Sequence, residues 1–412
     1  GADGTIVTQF TMTTLEELGL LKMDFLGLRT LTVIQDAVKM IEKDYGVKLD
    51  LEHIDYDDKK VMDSLGTGKN EGVFQLESSG MKQVLVGLQP QNLEDIIALI
   101  SLYRPGPMDS IPTYLRNRHE PDKISYKTPQ LAHILDVTNG CIVYQEQVMQ
   151  IFRELAGFSF GQADNVRRAM SKKKHAVMEA EREHFVYGCT DPGNECPGCV
   201  ANGISEKVAN EIYDEMSSFA SYAFNKSHAA CYAYVAFQTA YLKCHYPSEF
   251  MAALLTSVLD NTDKVIEYSG ECARLGIKVL PPDVNVSNGG FTADGSGQIR
   301  FGLNAVKNVG RNLIENVVKG RQNKPYTGLY DFCKRMHGNE LNRRAVECLI
   351  KAGAFDHLGN NRHSHVEAVE GILKSIETDS RRNLDGQLDL FSVMSGEAQS
   401  GASEDNYEIK QL

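Results

Sequence analysis

Apolar residues along this chain recur at two different spacings, and the change from one to the other marks out its elements. Near the start, IVTQF (6–10) is strand-like and the alternation in LLKMDFL (20–26) predicts a second short strand. From Thr30 or Thr32 the spacing becomes helical, and the first helix runs to Gly46. Further helices are predicted at 59–65, 93–102, 145–156, 162–185, 205–220 and 228–246. In 145–156, Val148, Ile151, Phe152 and Leu155 fall at i, i+3, i+4 and i+7, the stripe of a helix facing a core. Between helices, RPGP at 104–107 fixes two φ angles and removes two donors, so it predicts a stiff loop holding Arg104 in a set direction. After LPPDVN (280–285) the pattern changes again, and SNGGFTADGSGQIRFGL (287–303) reads as a turn-rich β-hairpin that opens a new module.

Composition narrows the class. A chain of 412 residues, 42% hydrophobic and 24% charged, is that of an ordinary globular protein with roughly two to four domains. There is no signal-peptide pattern, and the most apolar run (229–242) is broken by polar residues and too short for a bilayer. A cytoplasmic protein without a membrane partner is expected, its nine cysteines reduced. A net charge of -12 argues against bulk attraction to nucleic acid, yet a local basic channel still gathers phosphates within a Debye length.

Against that acidic background NVRRAMSKKK (165–174) is the densest positive block. Arg168 and Lys172 are four apart and share a helix face, flanked by Arg167 and Lys174, which makes either a phosphate clamp or a solvated face. In FNKSHA (224–229), Ser227 reads as an N-cap that sets Lys226 and His228 beside free backbone N–H groups, an anion site, although His228 also reads as a packing residue. Cys189, Cys196 and Cys199, spaced C-x6-C-x2-C with His184 nearby, read as a structural Zn2+ site or as idle thiols. Asp24 lies among apolar neighbours with Lys22 on the same strand face, so it is paired, protonated or metal-bound.

FGLNAVKNVGRNLIENVVKGR (301–321) has the form of a helix-hairpin-helix. A short helix leads to a tight turn from Lys307 to Gly310 and a second helix near Arg311, with Gly310 letting the backbone approach phosphates. Lys307, Arg311, Lys319, Arg321 and Lys324 face one Glu315, which predicts sequence-independent contact with a DNA backbone. LNRRAVECLIKAGAFD (341–356) reads as the partner hairpin, with Ala352, Gly353 and Ala354 at its turn.

KMDFLGLRTLT (22–32), GVFQLESSGMKQVL (72–85), LYRPGPM (102–108), YQEQVMQI (144–151), RRAMSKKK (167–174), the run 224–257 and LPPDVN together resemble, in order, the bacterial DNA polymerase III alpha subunits, the C-family replicative polymerases. The resemblance implies a mainly α fold: a small α/β palm remnant at 1–45, large helical fingers at 46–275, a tandem helix-hairpin-helix DNA-binding and clamp-binding domain at 276–375, and a disordered, flexible arm at 376–412. It implies that Asp24 is the third of three palm aspartates holding two Mg2+ ions, and that Lys22, Arg167, Arg168, Lys172, Lys226 and His228 surround an incoming dNTP. The other two aspartates belong to a PDxDxD-type segment that these residues lack, so the chain is expected to be an internal piece, inactive by itself. In GQLDLF, Gln387, Leu388, Leu390 and Phe391 match the peptide by which such polymerases dock on the β sliding clamp. Expected partners are primer–template DNA, dNTP, the clamp and other replicase subunits. The alternative is a non-catalytic DNA- and clamp-binding scaffold without a complete palm.

Overall fold

A computed structural model describes residues 4–21, 23, 27–171, 175–220 and 224–384. Helices dominate, and the described residues contain a single sheet of three two-residue strands. Four hydrophobic clusters organise the chain. The first is built on the 20-residue helix Lys226–His245, whose Ala229, Ala233, Ala236 and Ala240 are buried against Leu93–Leu102. Small side chains at these positions let the two helices approach closely, and Phe237 fills the remaining space.

The second cluster gathers Gln145–Ala156, Phe160–Ser171, His175–Tyr187 and Glu206–Ala220 around Phe152, Phe185 and Tyr213. Val148, Ile151, Phe152 and Leu155 are fully buried, as the stripe predicts. The third packs Arg311–Asn323, Leu329–Met336, Arg343–Ala352 and Arg362–Leu384 around Phe332 and Phe355. The fourth joins Arg29–Tyr45 to Pro247–Ser257 and to the sheet.

The helix expected to end near Gly46 spans Arg29–Tyr45, and Gly46 takes φ +68 so that its N–H reaches Glu42 O. Leu93–Leu102 and Gln145–Ala156 fall where the periodicity puts them. The hairpin forms as β2 (Thr292–Ala293) and β3 (Ile299–Arg300), while β1 (Val279–Leu280) adds in parallel to β3, pairing Val279 with Ile299.

Other expectations are corrected. Residues 6–10 pair with no other strand among the described residues, Ile6 is fully exposed, and a short helix Met12–Glu17 follows. The helix predicted at 162–185, by contrast, is helical wherever it is described, over Phe160–Ser171 and His175–Tyr187, and 172–174 lie outside the described residues. The N-cap of Lys226–His245 is Asn225 rather than Ser227, because the Asn225 side chain accepts from His228 N at 2.9 Å. No helix among the described residues is long and apolar enough to cross a membrane.

Candidate functional site

Three consecutive residues, Tyr144, Gln145 and Glu146, bring the expected phosphate-binding cations together. Gln147 fixes this corner, its Oε1 accepting from both Val143 N and Tyr144 N at 2.9 Å. Tyr144 pairs with Phe224 in a parallel bridge, and Gln145 N donates to Phe224 O at 3.0 Å, which ties the start of Lys226–His245 to the start of Gln145–Ala156.

From one side, Arg167 donates to Gln145 Oε1 at 3.1 Å and to Asp164 Oδ1 at 2.7 Å. Arg168, 65% exposed, reaches the other oxygen of the same Asp164 at 2.8 Å. The Arg167 hydrogen bond is the main cause holding the Asp164 carboxyl below its usual range. From the other side, Glu146 accepts from Lys226 N at 3.1 Å and from Asn225 Nδ2 at 3.0 Å. Lys226 Nζ pairs with Glu94 at 3.0 Å and lies 5.2 Å from the Tyr144 ring centre.

Phe224 collects further groups. Arg104 of the RPGP loop stacks over its ring at 4.2 Å, and His228 meets it edge-on at 5.2 Å while stacking on Tyr232 at 4.5 Å. Beneath them the Tyr144 hydroxyl is buried without a hydrogen-bond partner, and burial pushes its pKa up. The structure thus places Arg104, Arg167, Arg168, Lys226 and His228 around one corner. It also shows what the sequence reading missed: Asp164, Glu94 and Glu146 hold the cations, and Glu146 fills the helix N-terminus expected to be open. Asp164 was within reach of a sequence reading as the i−3 and i−4 neighbour of the two arginines; Glu94 and Glu146 are long-range partners without a local signal. Lys22, Asp24 and Lys172 lie outside the described residues.

The cysteines do not fit a zinc ion. Among the described residues no group of three or more His, Cys, Asp or Glu side chains is placed to hold a metal. Cys189 and Cys196 face each other across an antiparallel bridge, and His184 Nδ1 turns to Glu181 at 3.3 Å. Cys199 is fully buried, and burial pushes its thiol up to about 12.

In the third cluster a 3-10 turn at Leu303–Ala305 leads through an exposed turn into Arg311–Asn323, for which Gly310 is the N-cap. The left-handed residue of the turn is Asn308, φ +63, whereas Gly310 has an ordinary φ of -72. Gly310 matters instead for what is absent: no side chain caps the helix start. Lys307, Lys319 and Lys324 are exposed, and Arg311 pairs with Asp260 at 3.1 Å. Arg321 is not a free cation. It donates to Val284 O and Val286 O at 3.1 Å and to Asn288 Oδ1 at 2.8 Å, and burial lowers its pKa. In the partner hairpin Gly353 takes φ +93 after Arg343–Ala352. Gln387, Leu388, Leu390 and Phe391 lie outside the described residues.

Comparison with known proteins places two stretches of the chain in known families. Residues 30–193 match the family model of the bacterial DNA polymerase III alpha subunit finger domain, and residues 276–365 match a helix-hairpin-helix motif. DNA polymerase III subunit alpha of Bacillus subtilis is 45% identical over 391 residues, 95% of this chain and 34% of that protein. The Thermus aquaticus protein of the same name is 46% identical over 396 residues, 95% of this chain and 32% of its own length. That of Escherichia coli K12 is 43% identical over 403 residues, 95% and 34% of the two chains. The chain therefore spans about a third of the length of the curated relatives it matches. With this identity running along nearly its whole length, and with both family models matched in order, the chain belongs to the bacterial DNA polymerase III alpha subunit family.

Proposed function

We propose that the chain supplies the fingers and the adjoining DNA-binding and clamp-docking parts of a replicative DNA polymerase, with the end of the palm at 1–45, fingers at 46–275, a helix-hairpin-helix domain at 276–375 and an arm beyond. The single observation that carries this reading is the gathering of Arg167, Arg168, Lys226 and His228 around Tyr144–Glu146 and Phe224, where a triphosphate would take the cations over from Asp164 and Glu94. The arginines neutralise charge on the β- and γ-phosphates, and Arg104 over Phe224 borders the same space. When bound, Mg2+ supplies charge neutralisation and activation of the primer 3′-hydroxyl, with Asp24 as one carboxylate ligand. One palm aspartate does not hold two metal ions, so the chain alone binds substrates without extending a primer.

Double-stranded DNA lies along Lys307, the uncapped start of Arg311–Asn323, Lys319 and Lys324, held by its backbone. Titrating labelled primer–template at increasing salt tests this. Lys307→Ala and Lys319→Ala should each reduce the slope of log K against log salt by about one, equally for unrelated sequences. Unchanged slopes would place the DNA elsewhere. Docking on the sliding clamp through Gln387, Leu388, Leu390 and Phe391 is checked by clamp pull-down, which the Leu390→Ala, Phe391→Ala double variant should lose and which its retention would refute.

A further inference from the structure

We propose that Cys189 and Cys196 are a reversible thiol–disulfide pair, oxidised by small-molecule disulfides, in the hairpin that follows His175–Tyr187. The two residues are directly opposed, and each backbone N–H donates to the other's carbonyl at 2.9 Å. A hydrogen-bonded antiparallel pair holds its Cα atoms about 5.5 Å apart with both side chains on one face. Disulfides span roughly 4.4–6.8 Å between Cα atoms, so the backbone already has the spacing of the oxidised form.

The hairpin is pinned independently of the cysteines. A Cβ built on Gly198 would lie 2.2 Å from Gly188 N, so the two ends of the loop are in backbone contact. Within it Asn194 N donates to Asp191 O at 2.8 Å, closing the turn. Oxidation therefore asks for no closure of an open loop. The two thiols also differ in access. Cys189 is half-buried, whereas Cys196 is 7% exposed with its Sγ donating to His184 O at 3.7 Å.

That difference sets the order of events. The Cys189 thiolate attacks one sulfur of the small disulfide, forming a mixed disulfide and releasing one thiolate. The Cys196 thiolate then attacks Cys189 Sγ, forming the Cys189–Cys196 bond and releasing the second. Two electrons pass from the cysteines to the reagent, and the two protein thiol protons end on the two released thiols. Cys199, 0% exposed in the helical turn Gly198–Ala201, is shielded from the reagent.

The test equilibrates the full chain, under native conditions, with graded ratios of oxidised to reduced glutathione, followed by acid quench, alkylation and peptide mass mapping. The expected result is that Cys189 and Cys196 disappear together into one linked peptide pair lighter by two hydrogens, with Cys199 unmodified and dithiothreitol restoring both thiols. Cys196→Ser should stop at a glutathione adduct on Cys189. A stable glutathione adduct on wild-type Cys189 beside a free Cys196 would overturn the proposal. So would a bridge formed through Cys199, or one zinc ion per chain in the freshly purified protein, which would hold the thiolates.

Discussion

Asp164 sets how available the two arginines are, because both guanidinium groups are bonded to its carboxylate. On the proposed function, an incoming triphosphate would take them from it and would compete with Glu94 for Lys226. The Arg168–Asp164 pair, with its guanidinium exposed, contributes little, about 0.2–1 kcal/mol, so removing the competitor has a modest effect of predictable sign. Asp164→Asn should tighten triphosphate binding by roughly two- to fivefold, measured by equilibrium titration of the full chain. Weaker binding would mean that Asp164 positions the arginines for the ligand rather than competing with it. The cations themselves were legible from the density of charge at 165–174. Their settings were not, since Arg321 looks like its neighbours in sequence and proves to be a clamp on the 284–288 loop. Burial by distant chain cannot be read from a run of basic residues.

Gln145–Ala156 was readable from its one-sided apolar stripe, whereas some other helices gave no usable signal. Pro247–Ser257 escapes because Phe250, Met251, Ala252, Ala253, Leu254 and Leu255 are all buried, leaving no polar face to give a period. Ser79–Leu88 contains Gly80 and Gly87, which argue against a helix locally; a Cβ at Gly80 would fall 1.9 Å from the Tyr103 hydroxyl, so packing demands the glycine. Where Pro247–Ser257 meets Arg29–Tyr45, Glu249 is 1% exposed, its Oε1 accepting from the Tyr45 hydroxyl at 3.1 Å and its Oε2 lacking a partner. Burial first, and then the negative charges of Asp44 and Asp294, raise its pKa above the ordinary 4.5. The unfolded chain ionises this carboxyl first. Its contribution to stability is therefore complete below 4.5 and is lost as pH rises through the folded value. Glu249→Gln carries no charge to desolvate, so its thermal midpoint should gain on the wild type as pH rises from 4.5 toward neutrality. A difference that stays flat across that interval would show that Glu249 ionises freely in the fold.

Across the whole molecule, a net charge of -12 coexists with two local basic regions, and the fold explains how. The second cluster presents the arginines and the first presents Lys226 and His228; Tyr144, bridged to Phe224 within the first cluster, directly precedes Gln145–Ala156 of the second, so the chain itself links the two. Lys243 braces the first cluster from behind, buried and bonded to Lys69 O, Glu71 O and Glu271 Oε1 at 2.9, 2.8 and 2.6 Å. None of these long-range ties has a sequence signature, although the elements they join do. The division into clusters was legible only where composition changes, at LPPDVN and the glycine-rich hairpin after it. The proposed triphosphate site at Tyr144–Glu146 is tested most directly by titration of labelled primer–template with and without a matched dNTP and Mg2+, for the wild-type chain and Arg168→Ala. The nucleotide should tighten the wild-type complex and leave Arg168→Ala, which still binds DNA, unaffected. Equal tightening in both, or none in the wild type, would contradict the assignment.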